Sequence, residues 1–164
     1  MSSELPKYTL VACSVVGHEH YGLIVRTMDS AHNGFIDRAD MAKSPMPDAV
    51  WPAIGEQVRA VVLGYTRSGR MRLSARHDDV ELVESLHDPA TAMQEWRRFK
   101  AAPVDDVVDK GEFYRSPNAS ALLKWALKQH PSSKDRRLAD GLLQDAPESL
   151  RLELLTDDAS NGPE

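Results

Sequence analysis

The sequence predicts an α+β protein in which five short strands close into a β-barrel and an α-helical region follows. Three observations carry this. Before residue 78, short β-branched runs alternate with turns rich in Gly, Asn, Asp and Pro; after it, apolar residues recur at helical spacing. Between them runs Arg70–Arg76, whose Met71, Leu73 and Ala75 share one face and whose Arg70, Arg72, Ser74 and Arg76 share the other. The charge divides at the same place. Residues 1–78 hold nine Lys and Arg against eight carboxylates, and residues 79–164 hold eleven against seventeen.

The first strand is read over Thr9–Val16, and a polar turn with His18, Glu19 and His20 follows. Tyr21–Thr27 is the second strand, with Gly22 as a bulge position. Ser30–Gly34 is a turn, because Asn33-Gly34 is a strong hairpin dipeptide. Phe35–Arg38 is a short third strand. Residues 40–56, with Pro45, Pro47 and Pro52, make a connection that can hold only a short helical turn. Gln57–Thr66 is the fourth strand, Arg67-Ser68-Gly69 a tight turn, and Arg70–Arg76 the fifth strand. Five strands with a longer excursion between the third and fourth match the OB-fold layout.

The second half reads as about four helices. Asp88-Pro89 is a cap followed by Pro at the first helical position, ahead of the stripe Met93, Trp96, Phe99 and Lys100. Ser116-Pro117 repeats the signal before Leu122 and Trp125. Ser132 with Asp135 precedes Leu138 and Leu142, and Asp145 with Glu148 resembles a capping box ahead of Leu150 and Leu154. Pro103–Gly111, with Asp105, Asp106 and Asp109, reads as an exposed acidic linker, and the tail after Thr156 as disordered. The expected organisation is therefore a barrel domain over 1–78, a helix plus acidic linker over 79–115, a small helical region over 116–156 and a tail over 157–164.

Residues 15–76 resemble an S1 RNA-binding domain. Four elements carry the resemblance, in order and in register: Tyr21-Gly22-Leu23-Ile24-Val25, Gly34-Phe35-Ile36-Asp37, Ile54-Gly55-Glu56-Gln57-Val58 and Gly69-Arg70-Met71-Arg72-Leu73-Ser74. The resemblance covers about two-fifths of the chain and does not extend to the C-terminal half. It implies single-stranded RNA, or single-stranded DNA, as the partner, bound on a face with two aromatics on the second strand, a His on the third, and an Asp and an Arg flanking the last turn. By position, Tyr21 matches the first aromatic and Arg70 the arginine, whereas Ile24 replaces the second aromatic, Asp37 the histidine and Thr66 the aspartate. Losing a stacking platform at Ile24 costs about 1–3 kcal/mol per base. Phe35, if it points outward, and Tyr65, beside the last turn, could replace it. Arg67, Arg70, Arg72, Arg76 and Arg26 form a candidate phosphate-tracking row.

No other chemistry is encoded as clearly. His18 and His20 lack a third and fourth metal ligand, so no metal or other cofactor is expected. Cys13 shares parity with Val11 and Val15 and reads as a buried structural thiol. Trp96 and Trp125 belong to helix cores, and Trp51 plugs a barrel end or anchors a partner. Phosphate-cradling glycine loops and nucleophile elbows are absent, so a binding protein rather than an enzyme is expected. The start has no secretory pattern and no apolar run would span a bilayer, so a cytoplasmic setting without membrane partners is expected. The alternative is a protein-interaction module whose acidic helices take a basic partner and whose barrel no longer binds RNA.

Overall fold

The computed structural model describes residues 4–42, 47, 50–101 and 110–160. The chain divides into two compact units, Met1–Glu84 and Ser85–Glu164. The first holds strands β1 (Leu10–Glu19), β2 (Gly22–Thr27), β3 (Asn33–Asp37), β4 (Gln57–Tyr65) and β5 (Met71–Ser74). They close into a barrel in the order β1-β2-β3-β5-β4, antiparallel throughout except for the parallel β3–β5 pair. This is the five-stranded barrel expected from the strand pattern.

Alternation fills the barrel. Cys13 and Val15 of β1, Leu23 and Val25 of β2, Ile36 of β3, Ala60 and Val62 of β4, and Met71 and Leu73 of β5 form one core, with Trp51 and Met41 packed into it. Trp51 is thus a plug rather than an exposed anchor. Ile24 and Phe35, of opposite parity, stay half-buried outside the core, side by side in the β2–β3 register. Burial pushes the Cys13 thiol up to about 11, with Asp29 adding to the effect. A raised thiol pKa stabilises the fold below the unfolded value and loses that stability as pH rises through the folded one. Between pH 9 and about 11, unfolding free energy is therefore expected to fall on the order of 3 kcal/mol more steeply than in Cys13→Ala, measured by urea titration.

Several local expectations are corrected. β1 runs through the expected turn to Glu19. Asn33-Gly34 lies in β3, not in the hairpin turn. The turn is built by Asp29, which accepts hydrogen bonds from the Thr27 hydroxyl at 2.5 Å and the Ala31 N–H at 2.9 Å, with Ser30 in the left-handed region at φ 62°. These bonds hold the Asp29 carboxyl below its ordinary pKa, the Thr27 hydroxyl most of all. Gly34 serves packing: a Cβ there would lie 2.7 Å from the Met71 carbonyl oxygen across the β3–β5 pair. Bulges fall between Val15 and Gly17 and between Val62 and Gly64, not at Gly22. A one-turn 3-10 helix, Arg38–Asp40, opens the Pro-rich connection; residues 43–46 and 48–49 of that connection lie outside the described residues.

Among the described residues, six helices follow the barrel, two more than the apolar stripes predict: α1 (His77–Ser85), α2 (Pro89–Ala101), α3 (Lys110–Arg115), α4 (Ala119–Leu127), α5 (Lys134–Gln144) and α6 (Glu148–Ser160). α1 is tied to the barrel by the Arg59–Glu84 ion pair and by Ser74, whose hydroxyl donates to Asp79 at 2.6 Å. In the second unit, Trp96 packs edge-on to Trp125 and donates its indole N–H to Asp135 at 2.8 Å, which also pairs with Lys100. The α5 cap is Ser133, not Ser132, and accepts from the Arg136 N–H at 3.1 Å. Most of the expected acidic linker, residues 102–109, lies outside the described residues, and α3 begins at its end. α6 runs on to Ser160, four residues into the tail expected to be disordered, and residues 161–164 of that tail lie outside the described residues. Among the described residues, no helix is long and apolar enough to cross a membrane.

Candidate nucleic-acid interface

β2, β3 and the turn before β5 bring three side chains of the first unit together. Tyr21 sits just before β2, where the Arg38 N–H donates to its carbonyl at 2.7 Å. Phe35 points out of the barrel from the middle of β3 because its buried neighbours Gly34 and Ile36 take the inward parity, Ile36 filling the core. The two rings meet edge to face, with centroids 6.0 Å apart and planes at 86°. The Arg70 guanidinium lies over both, 4.8 Å from the Phe35 centroid and 5.7 Å from that of Tyr21. Its Nη2 donates to the Tyr21 hydroxyl at 3.1 Å.

The turn that carries Arg70 is stiff. Gly69, in the left-handed region at φ 86°, donates its N–H to the Thr66 carbonyl at 2.9 Å, and the Thr66 N–H donates to the Arg70 carbonyl at 2.9 Å. The Thr66 hydroxyl accepts from the Arg70 N–H at 3.1 Å and bonds the Ser68 hydroxyl. Thr66 therefore shapes the turn that carries Arg70. Asp37 is likewise occupied: its carboxylate accepts from the Ala39 N–H at 3.0 Å and caps the 3-10 turn. Ile24 lies beside Phe35 on the same outer face and widens the apolar floor.

The remaining expected residues separate from this cluster. Tyr65 packs against the barrel core, and its hydroxyl accepts from the Leu5 N–H at 2.7 Å and donates to the Leu5 carbonyl, so it clamps the N-terminal segment instead of offering a platform. The outward row of β5 is broken. Ser74 is fully buried, Arg76 leans on Asp78, and Arg72 makes a two-nitrogen contact with Asp40 at 3.1 and 2.9 Å. Arg26 donates to Asn33 at 2.9 Å. Arg67 is exposed at the last turn beside Arg70.

Sequence reasoning missed Asp40 and Arg38. Asp40 comes 32 positions before Arg72, and only the parallel β3–β5 pairing brings them together. Arg38 lies over Trp51 at 5.3 Å and donates to the His20 carbonyl at 3.1 Å, while the His20 ring meets Tyr21 edge-on at 5.4 Å. His18 bonds the Pro52 carbonyl at 2.7 Å. Among the described residues, no group of three or more His, Cys, Asp or Glu could hold a metal ion.

Asp40→Asn removes the negative charge that pairs with Arg72 and weakens the hold on its guanidinium. Affinity for a single-stranded oligonucleotide is expected to rise a few-fold, and the slope of log K against log salt to steepen by about 0.7, the value for one further phosphate on a single strand. Fluorescence anisotropy across a salt series checks both; unchanged slope and affinity would place Arg72 off the path of the strand.

No family model matches the chain, and neither does any curated protein. Among solved structures, the chain is similar to GSP13 from Bacillus subtilis at 15% identity, over 66% of this chain and 68% of that one, with a TM-score of 0.40. It is similar to a chain of the a/eIF2alpha-aDim2p-rRNA complex from Pyrococcus horikoshii OT3 at 14% identity, over 88% and 99%, with a TM-score of 0.42. It is also similar to the intact alpha subunit of aIF2 from Pyrococcus abyssi at 15% identity, over 90% and 64%, with a TM-score of 0.42.

Proposed function

We propose that this chain is a binding protein rather than an enzyme, and that its barrel takes single-stranded nucleic acid, RNA first, on the face carrying Tyr21, Phe35 and Arg70. The observation that carries the reading is the Arg70 guanidinium held over two outward aromatic rings. Rings and a cation at one spot suit an unstacked base and its phosphate, and every base has a π-face, so sequence preference is slight. A duplex keeps its bases stacked on one another and cannot use such a platform. With Arg72 committed to Asp40 and Arg76 to Asp78, few cations remain for phosphates, Arg67 and Arg70 foremost. Binding is therefore weak and its salt dependence shallow, with a slope of about −1.4 for two phosphates.

Titrating labelled single-stranded RNA, single-stranded DNA and duplex of one sequence into the full chain tests this. Saturable binding of the single strands, with the duplex weaker, is the expected result; equal binding of all three with a steep salt slope would mean charge alone attracts them.

A second reading, a protein partner on the acidic helices, is favoured by Leu152 and Leu155 on α6, which are 54% and 64% exposed. A stoichiometric protein co-purifying with the chain, without nucleic-acid absorbance, would favour it over the first.

A further inference from the structure

We infer that the surface on which a base stacks is the guanidinium plane of Arg70 itself, with Phe35 as its support and Tyr21 as its positioning residue. This rests on the nucleic-acid reading above and goes further, because it assigns the contact to a planar cation and not to a ring or to a point charge.

Three features lead there. The first is layering. Phe35 is half-buried and Arg70 exposed, and the guanidinium lies 4.8 Å above the Phe35 centroid. A base approaching Phe35 from solvent on that side meets Arg70 first.

The second is orientation. The bond from Nη2 to the Tyr21 hydroxyl fixes the rotation of the guanidinium, and the Thr66 turn fixes the backbone from which it springs. An arginine held at both ends has already lost much of the rotamer freedom that binding would otherwise remove.

The third is the contrast with Arg72, one register step away beside Phe35 on β5. Arg72 spends its donors on the Asp40 carboxylate, whereas Arg70 rests on rings. A guanidinium is planar, delocalised and weakly hydrated, so one face can lie on an aromatic ring while the other takes a base. Its edge donors that do not reach Tyr21 remain for the phosphate of the same nucleotide. Thr66 suits this arrangement, because its hydroxyl closes the turn without placing a carboxylate there to draw the guanidinium away.

Lysine separates plane from charge. Full-length wild type, Arg70→Lys and Tyr21→Phe are titrated with a single-stranded oligonucleotide and with an abasic oligonucleotide of equal length, over a salt series. For the base-bearing strand, Arg70→Lys is expected to lose about tenfold in affinity, the lower part of the range for one stacked base, with the salt slope unchanged. Tyr21→Phe keeps its ring and loses only the hydroxyl that orients Arg70, and is expected to weaken binding several-fold. For the abasic strand, the three proteins are expected to bind alike. Arg70→Lys binding the base-bearing strand as wild type does would overturn the inference and leave the nucleic-acid reading standing. Failure of wild type to bind either strand would overturn both.

Discussion

Gly22→Ala is expected to remove about 3 kcal/mol or more of the barrel's stability. Gly22 has φ 152°, and a Cβ there would lie 2.0 Å from the Ile36 carbonyl oxygen and 3.0 Å from the Arg38 nitrogen. All the nearest atoms are backbone, so no rotamer change relieves the overlap. β2 and β3 would have to part where Gly22 faces Asp37, which is also where Tyr21 enters β2. Gly69→Ala is the control. Its φ of 86° carries a left-handed penalty of about 1–2 kcal/mol, but nothing lies within 4 Å of the added carbon. Hydrogen exchange of the β2 and β3 amides, with urea unfolding of the full chain, measures both variants. Gly22→Ala no worse than Gly69→Ala would mean the sheet yields at that end.

The second large effect is on binding. Tyr21→Ala combined with Phe35→Ala is expected to lower affinity for single-stranded oligonucleotides at least tenfold, since it removes the bed and the hydroxyl that hold the Arg70 plane, and with them a stacked-base contact worth about 1–3 kcal/mol. Neither ring belongs to the barrel core, so thermal unfolding of the barrel should shift little. Anisotropy titration reads the first quantity and circular dichroism the second. Affinity within twofold of wild type would remove these rings from the interface.

The barrel was legible because alternation in short runs has one physical meaning: half the side chains of each strand face a common interior. Parity placed Met71, Leu73, Cys13 and Val15 inside, where they lie. It failed wherever the chain leaves the ladder. The bulge between Val62 and Gly64 shifts the phase of β4, so Tyr65 packs inward although its place beside the last turn makes it a candidate platform. β5 ends at Ser74, and the chain then turns into α1, whose first residues include Asp78 and Asp79; Arg76 and Ser74 are drawn to these carboxylates and away from the outer face. α1 and α3 carry too few apolar residues at helical spacing to announce themselves.

The candidate site was legible in part for the same reason. Phe35 could be placed outside only once Ile36 and Gly34 were known to fill the interior, because phenylalanine alone suits either face. Asn33-Gly34 misled because the dipeptide signals a hairpin turn through local chemistry, whereas here the glycine answers to Met71 on a strand distant in sequence. Such long-range demands, including the Asp40–Arg72 pair, leave no local mark.

On the proposed reading, a base docks on the Tyr21–Phe35–Arg70 face of the barrel. Amide and side-chain NMR shifts of the labelled full chain, followed as a short single-stranded RNA is added, test it most directly. The expected shifts concentrate on Tyr21, Phe35, Arg70 and the Arg67–Gly69 turn, with the Arg70 Nε–H resonance moving furthest. Saturable shifts that spare these residues and fall on α4, α5 or α6 would contradict it.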